Sequence, residues 1–146
     1  MSQVLAAFEG FGPTSFTDIV CQQAPYFQSI QPHISALQPQ RAEANIPFRK
    51  EITNHLGTVH AIAMCNLAEL VAGLMTDVTI PEGARWIPQS MTVNYLAKAE
   101  TGVHAIADGS QVDWQNAGEK VVTVDIFDEE EKKVFTAEIT MNVKLA

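Results

Sequence analysis

The sequence predicts an α+β fold in which a curved antiparallel β-sheet wraps around one long central helix. The stretch 54–75 becomes apolar for about seventeen residues and contains no proline, and Ala, Leu and Met, which favour helix, dominate it. Beyond it, four runs alternate apolar and polar residues, as half-buried strands do. A half-buried sheet needs an apolar partner, and only this helix is large and apolar enough, so the sheet is expected to curl around it.

The composition narrows the class of protein. A chain of 146 residues with 47% apolar residues suits one globular domain with a sizeable core. The net charge of −8 argues against a nucleic-acid partner. Cys21 and Cys65 lack metal-ligand spacing, so we expect reduced core cysteines and no metal site. With no signal-peptide pattern and a helix too short and too polar at Glu69 for a membrane span, a cytoplasmic protein without a membrane partner is expected.

Residues 1–40 are interpreted as a helical N-terminal extension packed on the domain, which itself covers residues 41–146. Within the extension, residues 1–13 read as a short arm closed by glycines and a proline. A helix is predicted over 16–24, with Thr14 or Ser15 as its cap. Prolines then punctuate a loop, in which residues 33–37 are expected to form a turn.

The domain starts with a strand at 41–49, in which Pro47 marks an edge or a bulge. A loop follows the central helix because proline and glycine fall within residues 77–84. The four later strands are predicted at 86–97, 102–108, 120–127 and 133–145. The acidic run 128–131 between the last two is predicted to be the solvated tip of an antiparallel hairpin.

Glu69 is unusual because it places a carboxylate in an otherwise apolar helix. It shares a narrow face with Asn66 and Gly73, and no Lys or Arg occurs between Lys50 and Arg85 to pair with it. Burying a bare carboxylate costs many kcal/mol. One interpretation is a carboxyl hydrogen-bonded within a subunit interface; the other is a tuned acid, base or nucleophile, since burial raises a carboxyl pKa toward neutrality. The helix is apolar nearly all round, so a second subunit is expected to cover it.

The helix entry N-x-x-G-T-V-H resembles that of hotdog-fold proteins, and more narrowly that of the PaaI-type acyl-CoA thioesterases. Asn54, Gly57, Thr58 and His60 match the motif, and Glu69 follows the histidine by nine residues, as an Asp or Glu does in that family. The resemblance extends over roughly residues 42–145. The sequence also resembles an uncharacterised bacterial subgroup of thioesterase-like proteins, which carries His-Ala where the family has His-Gly.

The resemblance implies a site at the start of the helix, where unpaired N–H groups stabilise a developing oxyanion. The donors would be the amides of Ala61 and Ile62. Glu69 would attack the thioester carbonyl or deprotonate a water, Asn54 would orient the water or the carbonyl, and His60 would bond near the helix entry. In the family such sites are shared across a dimer interface. CoA enters as part of the substrate, and no resident cofactor is implied.

The chain also departs from the family. Where the family has Gly-Gly after the histidine, this chain has Ala61-Ile62. The β-branched side chain of Ile62 is expected to narrow the acyl pocket beside the thioester carbonyl. Some relatives carry a catalytic Ser or Thr near the position of Pro88; Ser90, two residues on, is a candidate because it would share the same strand face. Candidates for binding the substrate, including the anionic CoA, are Gly57, Arg85, Lys98 and Lys120.

The leading hypothesis is an acyl-CoA thioesterase that works as a homodimer or as a dimer of dimers, a homotetramer. The alternative is a non-catalytic acyl-CoA or fatty-acyl binding module in which Glu69 is an interface carboxyl. A domain that only oligomerises ranks third, because Asn54, His60 and Glu69 would then be polar groups without a purpose in apolar surroundings.

Overall fold

Six antiparallel strands form one sheet in the computed structural model, which describes residues 2–146. The strands are β1 (His33–Gln38), β2 (Arg41–Ile46), β3 (Arg85–Tyr95), β4 (Val103–Asp108), β5 (Gly118–Asp128) and β6 (Lys133–Lys144). The helices are α1 (Gln3–Gln23) and α2 (Ala61–Thr79), with short 3-10 helices at Pro25–Ile30 and Lys50–Ile52. The strand order is β1-β2-β4-β5-β6-β3, so β1 and β3 are the two edges.

The helix α2 contacts all six strands, which confirms the predicted helix wrapped by a sheet. By length and composition, α2 is the one helix within residues 2–146 that could cross a membrane. More than half of that segment is buried inside the molecule, and Leu67, Val71 and Met75 are fully enclosed. The hydropathy of α2 therefore reflects its place in the core.

The predicted alternation holds along β5 and β6, where Val122, Val124 and Ile139 point inward and are fully buried. The acidic run forms the hairpin tip between these strands, as predicted. There Asp128 accepts hydrogen bonds through Oδ1 from the N–H groups of Glu130 and Lys132, both at 2.9 Å. The strand predicted at 133–145 ends one residue early, because Leu145 lies beyond the end of β6 and is exposed.

The turn predicted at 33–37 is wrong, since this segment is the edge strand β1, paired antiparallel with β2. The boundary at residue 40 therefore falls inside the sheet. A bulge between Ile34 and Ala36 explains the error. It places Ile34 and Leu37 inward, three positions apart, so the period of two typical of a strand is broken in the sequence.

The N-terminal arm is also corrected, because α1 starts at Gln3, with Ser2 as its cap through a 3.0 Å hydrogen bond from the N–H of Leu5. Gly12 and Pro13, which the sequence predicts to close the arm, kink this helix instead. Gly12 has φ +82°, a left-handed conformation that suits glycine. The Phe8 and Phe16 rings pack edge to face across the kink, with centroids 5.3 Å apart, so both halves stay on the domain.

Candidate active site

The loop that leads into α2 is a turn organised by the side chain of Asn54. Its Oδ1 accepts from the N–H groups of Leu56 (2.9 Å) and Thr58 (3.2 Å), and its Nδ2 donates to Thr58 Oγ1 (2.9 Å). Gly57 completes the turn with φ +78°. Both ends of the Asn54 amide are thus bonded within the turn. Its predicted role toward a water or a carbonyl stays a prediction.

His60 is the N-cap of α2 and leaves one free amide beside it. Its Nδ1 accepts from the N–H of Ile62 at 3.1 Å, which requires the ring proton to sit on Nε2 in the neutral form. The N–H of Ala63 donates to the carbonyl of His60. Within residues 2–146 the N–H of Ala61 has no acceptor. Of the two predicted oxyanion donors, Ile62 is therefore occupied and Ala61 remains.

Glu69 lies on the wall of a cavity of about 630 Å³ that opens to solvent between α1, α2 and the start of β3. Its carboxylate is half-buried and forms no ion pair with any residue of the described chain, 2–146. The walls are mainly apolar, and no Lys, Arg or His of the described chain lines them. Representative wall residues are Val4, Ala7, Phe16, Val20, Phe27 and Leu74.

The far wall of this cavity depends on Trp86, at the start of β3. The Nε1 of Trp86 donates to Asp77 Oδ1 at 2.9 Å. The Trp86 ring also lies against Gly73, where an added Cβ would come within 2.9 Å of Cη2. Gly73 and Asp77 follow Glu69 by four and eight residues, a helical spacing that could have indicated a shared face.

The two halves of the predicted site lie apart within one protomer. Glu69 follows Ala61 by eight residues in the same helix, so the two positions are separated by about 12 Å along the helix axis. A single carbonyl therefore cannot contact both. Cys65, on the intervening turn, offers no alternative nucleophile, because burial raises the pKa of its thiol and keeps it protonated at neutral pH.

Ser90 does not share the face of Pro88, which corrects the reason for choosing it. A bulge between Pro88 and Ser90 shifts the register against β6. Pro88 pairs with Met141 on the inner face, whereas Ser90 pairs with Thr140, and the next inward residue is Met91, opposite Ile139. Ser90 is exposed and faces away from the cavity.

The predicted cationic contacts do not gather at Glu69. Arg85 is exposed at the start of β3, next to Trp86. Lys98 follows β3 and precedes Ala99, whose carbonyl accepts from the N–H of Val59, so it lies near the helix entry. Its side chain, however, lies in a separate cleft that is rich in acids. Lys120 points inward from β5, and its side chain is largely buried. Within residues 2–146, no three His, Cys, Asp or Glu side chains are placed to hold a metal ion.

Comparison with known proteins places this geometry in a family. A family described as Domain of unknown function (DUF4442) matches residues 12–143. The crystal structure of genomics target APC5556 is 53% identical, with a TM-score of 0.91 over 99% of this chain and 97% of its own. Thioesterase HI1161 from Haemophilus influenzae is 22% identical, with a TM-score of 0.73 over 82% of each chain. A thioesterase family protein from Silicibacter pomeroyi is 19% identical, with a TM-score of 0.75 over 88% of this chain and 96% of its own.

No curated protein matches the chain. The structural neighbours that are named thioesterases are too distant in sequence to show more than the fold, but that fold is the predicted one. The match over residues 12–143 covers most of the chain. The chain therefore belongs to the family described as Domain of unknown function (DUF4442), and its fold is the hotdog fold of the thioesterase family proteins.

Proposed function

We propose that the protein hydrolyses an acyl-CoA thioester, with Glu69 as general base or nucleophile. The observation that carries the proposal is an unpaired, half-buried carboxylate on the wall of an open, mainly apolar cavity. A cavity of about 630 Å³ is within the usual range of roughly 300–1,000 Å³ for small-molecule sites. An acyl group fits such walls, and a thioester carbonyl is an electrophile on which a carboxylate can act.

As a general base, Glu69 takes a proton from water while the water oxygen adds to the carbonyl carbon. The resulting oxyanion accepts a hydrogen bond from the N–H of Ala61 of a second subunit, at the positive end of that subunit's α2 dipole. When the C–S bond breaks, the CoA thiolate receives the proton, and a free acid is the other product. As a nucleophile, Glu69 would instead attack the carbonyl carbon and form a mixed anhydride as the C–S bond breaks and the CoA thiolate leaves. Water then cleaves the anhydride, which releases the free acid, restores the Glu69 carboxylate and supplies the proton that the thiolate takes up.

The proposed site is completed by two subunits, one supplying Ala61 and the other Glu69, because in a single chain the two residues are about 12 Å apart along the axis of α2. The edge strand β3 lies beside the cavity, and its Ile87 and Tyr95 are 64% and 61% exposed. An exposed apolar edge invites pairing with another strand. Antiparallel pairing of two β3 strands about a two-fold axis would bring the Ala61 end of one α2 toward Glu69 of the other. A homodimer, alone or as half of a tetramer, is the smallest active unit.

The first test measures thiol release from short, medium, long and aromatic acyl-CoAs. We expect the parent to turn over at least one of them and Glu69→Gln to lose ~10²-fold or more in kcat. Glu138→Gln is the matched control, because Glu138 is exposed on the outer face of β6. Equal slow rates for the parent and Glu69→Gln would overturn the proposal.

The oxyanion donor is tested by Ala61→Pro. Proline lacks the N–H, yet it is favoured at the first position of a helix, and the ψ of 132° at His60 suits a residue before proline. We expect stability close to that of the parent and a loss of about 10²–10³-fold in kcat. Mixing unfolded Ala61→Pro and Glu69→Gln chains and refolding them together should then restore part of the activity. Only a site shared between subunits allows one intact site in the mixed dimer, so no recovery would exclude sharing.

One observation favours a second candidate, a non-catalytic module that binds acyl-CoA or fatty-acyl groups. His60 occupies the N–H of Ile62, so the helix entry offers a single donor where two were expected. In that case Glu69 would have a structural or interface role. Calorimetric binding of acyl-CoA by both the parent and Glu69→Gln, without turnover of any substrate, is the result expected of that module.

A further inference from the structure

We propose that Trp86 closes the acyl chamber beyond Glu69 and thereby selects the length of an uncharged acyl group. This inference rests on the proposed function, because it assigns the cavity at Glu69 to the acyl part of the substrate. The Trp86 ring lies over Gly73, which follows Glu69 by one turn of α2. A chain that starts beside the Glu69 carboxylate and runs toward the end of α2 meets the ring after about 6 Å.

The ring is held on two sides, so it acts as a fixed wall. Its Nε1 donates to the Asp77 carboxylate at 2.9 Å, a bond to a charged acceptor. Its outer edge lies so close to Gly73 that an added methyl group would come within 2.9 Å of Cη2. Any residue other than glycine at position 73 would push the ring away. Two features therefore hold Trp86 in place: the hydrogen bond to Asp77, and the space that Gly73 leaves for the ring because it has no side chain.

The charges of the walls define what kind of acyl group fits. Glu69 and Asp77 are the two ionisable residues among the described residues that line the cavity, and both are acids. An acyl group ending in a carboxylate would place a third negative charge there with no cation to pair with it, which is costly in apolar surroundings. The chamber thus accepts alkyl or aryl acyl groups and rejects dicarboxylic ones.

The opposite wall comes from the N-terminal extension. Val4 and Ala7 line the cavity from the first half of α1, and Phe16 and Val20 line it from the second half, beyond the kink at Gly12. The extension therefore forms part of the same chamber as Trp86. Its place is set by the core contacts of α1, such as the 3.0 Å hydrogen bond from the N–H of Ile34 to Thr17 Oγ1.

The test uses S-alkyl-CoA thioethers, which bind like acyl-CoA but cannot be hydrolysed, with short, medium and long chains and one chain ending in a carboxylate. Binding is followed by tryptophan fluorescence and by calorimetry in the parent, Trp86→Phe and Trp86→Ala. Trp114, the other tryptophan, lies outside the cavity and is bonded to the carbonyl of Gly109. Circular dichroism establishes that each variant is folded, and Trp86→Phe gives a second readout if Trp86→Ala is not.

We expect the parent fluorescence to change on binding and the change to be absent in Trp86→Phe. Trp86→Ala should shift the preference toward longer chains by about 10-fold for each methylene newly accommodated, with a smaller shift for Trp86→Phe. The carboxylate-ended thioether should bind more weakly than its neutral counterpart in every variant. Equal chain-length profiles in the parent and both variants, or no binding by the parent, would overturn the inference.

These outcomes separate the inference from the proposed function. Length-selective binding that responds to Trp86 without hydrolysis of any acyl-CoA would leave the chamber assigned and remove the catalytic proposal. Hydrolysis that depends on Glu69 but has the same chain-length profile in all three proteins would keep the enzyme and remove the role of Trp86.

Discussion

A single methyl group at Gly73 tests the packing of the whole cavity wall. A Cβ at this position would lie 2.9 Å from Trp86 Cη2. Two carbon atoms prefer a separation of about 3.5–4.0 Å. The Trp86 ring cannot simply swing aside, because its Nε1 is bonded to Asp77 at 2.9 Å. Gly73→Ala must therefore displace the ring, strain the helix or weaken this hydrogen bond.

The size of the effect follows from three opposing contributions. Replacing glycine by alanine inside a helix favours folding by about 1 kcal/mol. Overpacking a well-filled site costs about 1–3 kcal/mol. A weakened hydrogen bond to the Asp77 carboxylate loses part of a further 1.5–3 kcal/mol, roughly the contribution of a bond to a charged group. We expect Gly73→Ala to lower the free energy of unfolding by about 1–3 kcal/mol.

Gly10→Ala is the matched control, because Gly10 lies in α1 with no atom within 4 Å of an added Cβ. It should raise the free energy of unfolding by roughly 0.5–1 kcal/mol through helix propensity alone. Urea unfolding at one fixed protomer concentration measures both variants. In a Trp86→Leu background the penalty of Gly73→Ala should largely disappear, as a double-mutant cycle reports. If Gly73→Ala stabilises the protein as much as Gly10→Ala does, the packing argument is wrong.

Three further substitutions test the local structure around α2. Asn54→Ala removes four side-chain hydrogen bonds from the turn, so urea unfolding should show a loss of about 1–3 kcal/mol in the free energy of unfolding. A loss below about 0.5 kcal/mol would contradict the structural role. His60→Ala should cost about 0.5–2 kcal/mol as a lost N-cap, with recovery in His60→Asn, and equal stability of the two variants would refute the cap. Gly109→Ala places a Cβ 2.8 Å from Met75 Sδ and from Trp114 Cζ2; we expect a loss of about 1–3 kcal/mol and an altered near-ultraviolet circular dichroism spectrum, whereas an unchanged spectrum and stability would exclude tight packing there.

The central helix and the last two strands could be predicted from the sequence because each carries its own periodicity. Val122 and Val124 alternate with polar neighbours, and this alternation survives in the fold. For two of the strands the sequence prediction is wrong because one residue breaks this period. In β1 the bulge after Ile34 moves the second inward side chain to Leu37, and in β3 the bulge before Ser90 turns that residue outward. A bulge is set by pairing with another strand, so a single segment does not reveal it.

The cavity was out of reach of the sequence for a different reason. Glu69 stood out locally, as an acid in an apolar helix, but its surroundings come from distant parts of the chain. Val4 and Phe16 reach it from the N-terminal extension, and Trp86 reaches it from the start of β3. No spacing within one segment connects these residues; only the folded packing of α1 against the sheet and α2 does. The position of the acid was therefore predictable, and the chamber around it was not.

The geometry gives most residues of the helix-entry motif a structural role. Asn54 and Gly57 are accounted for by the turn they form, Thr58 by its hydrogen bonds with Asn54, and His60 by capping α2. Each of these residues would be needed to start the helix correctly even in a protein without activity. Glu69 alone has no structural partner within residues 2–146, although keeping a half-buried carboxylate unpaired costs stability. The functional content of the motif therefore lies in Glu69 and the free N–H of Ala61, and substitutions at those two positions decide between an enzyme and a binding module.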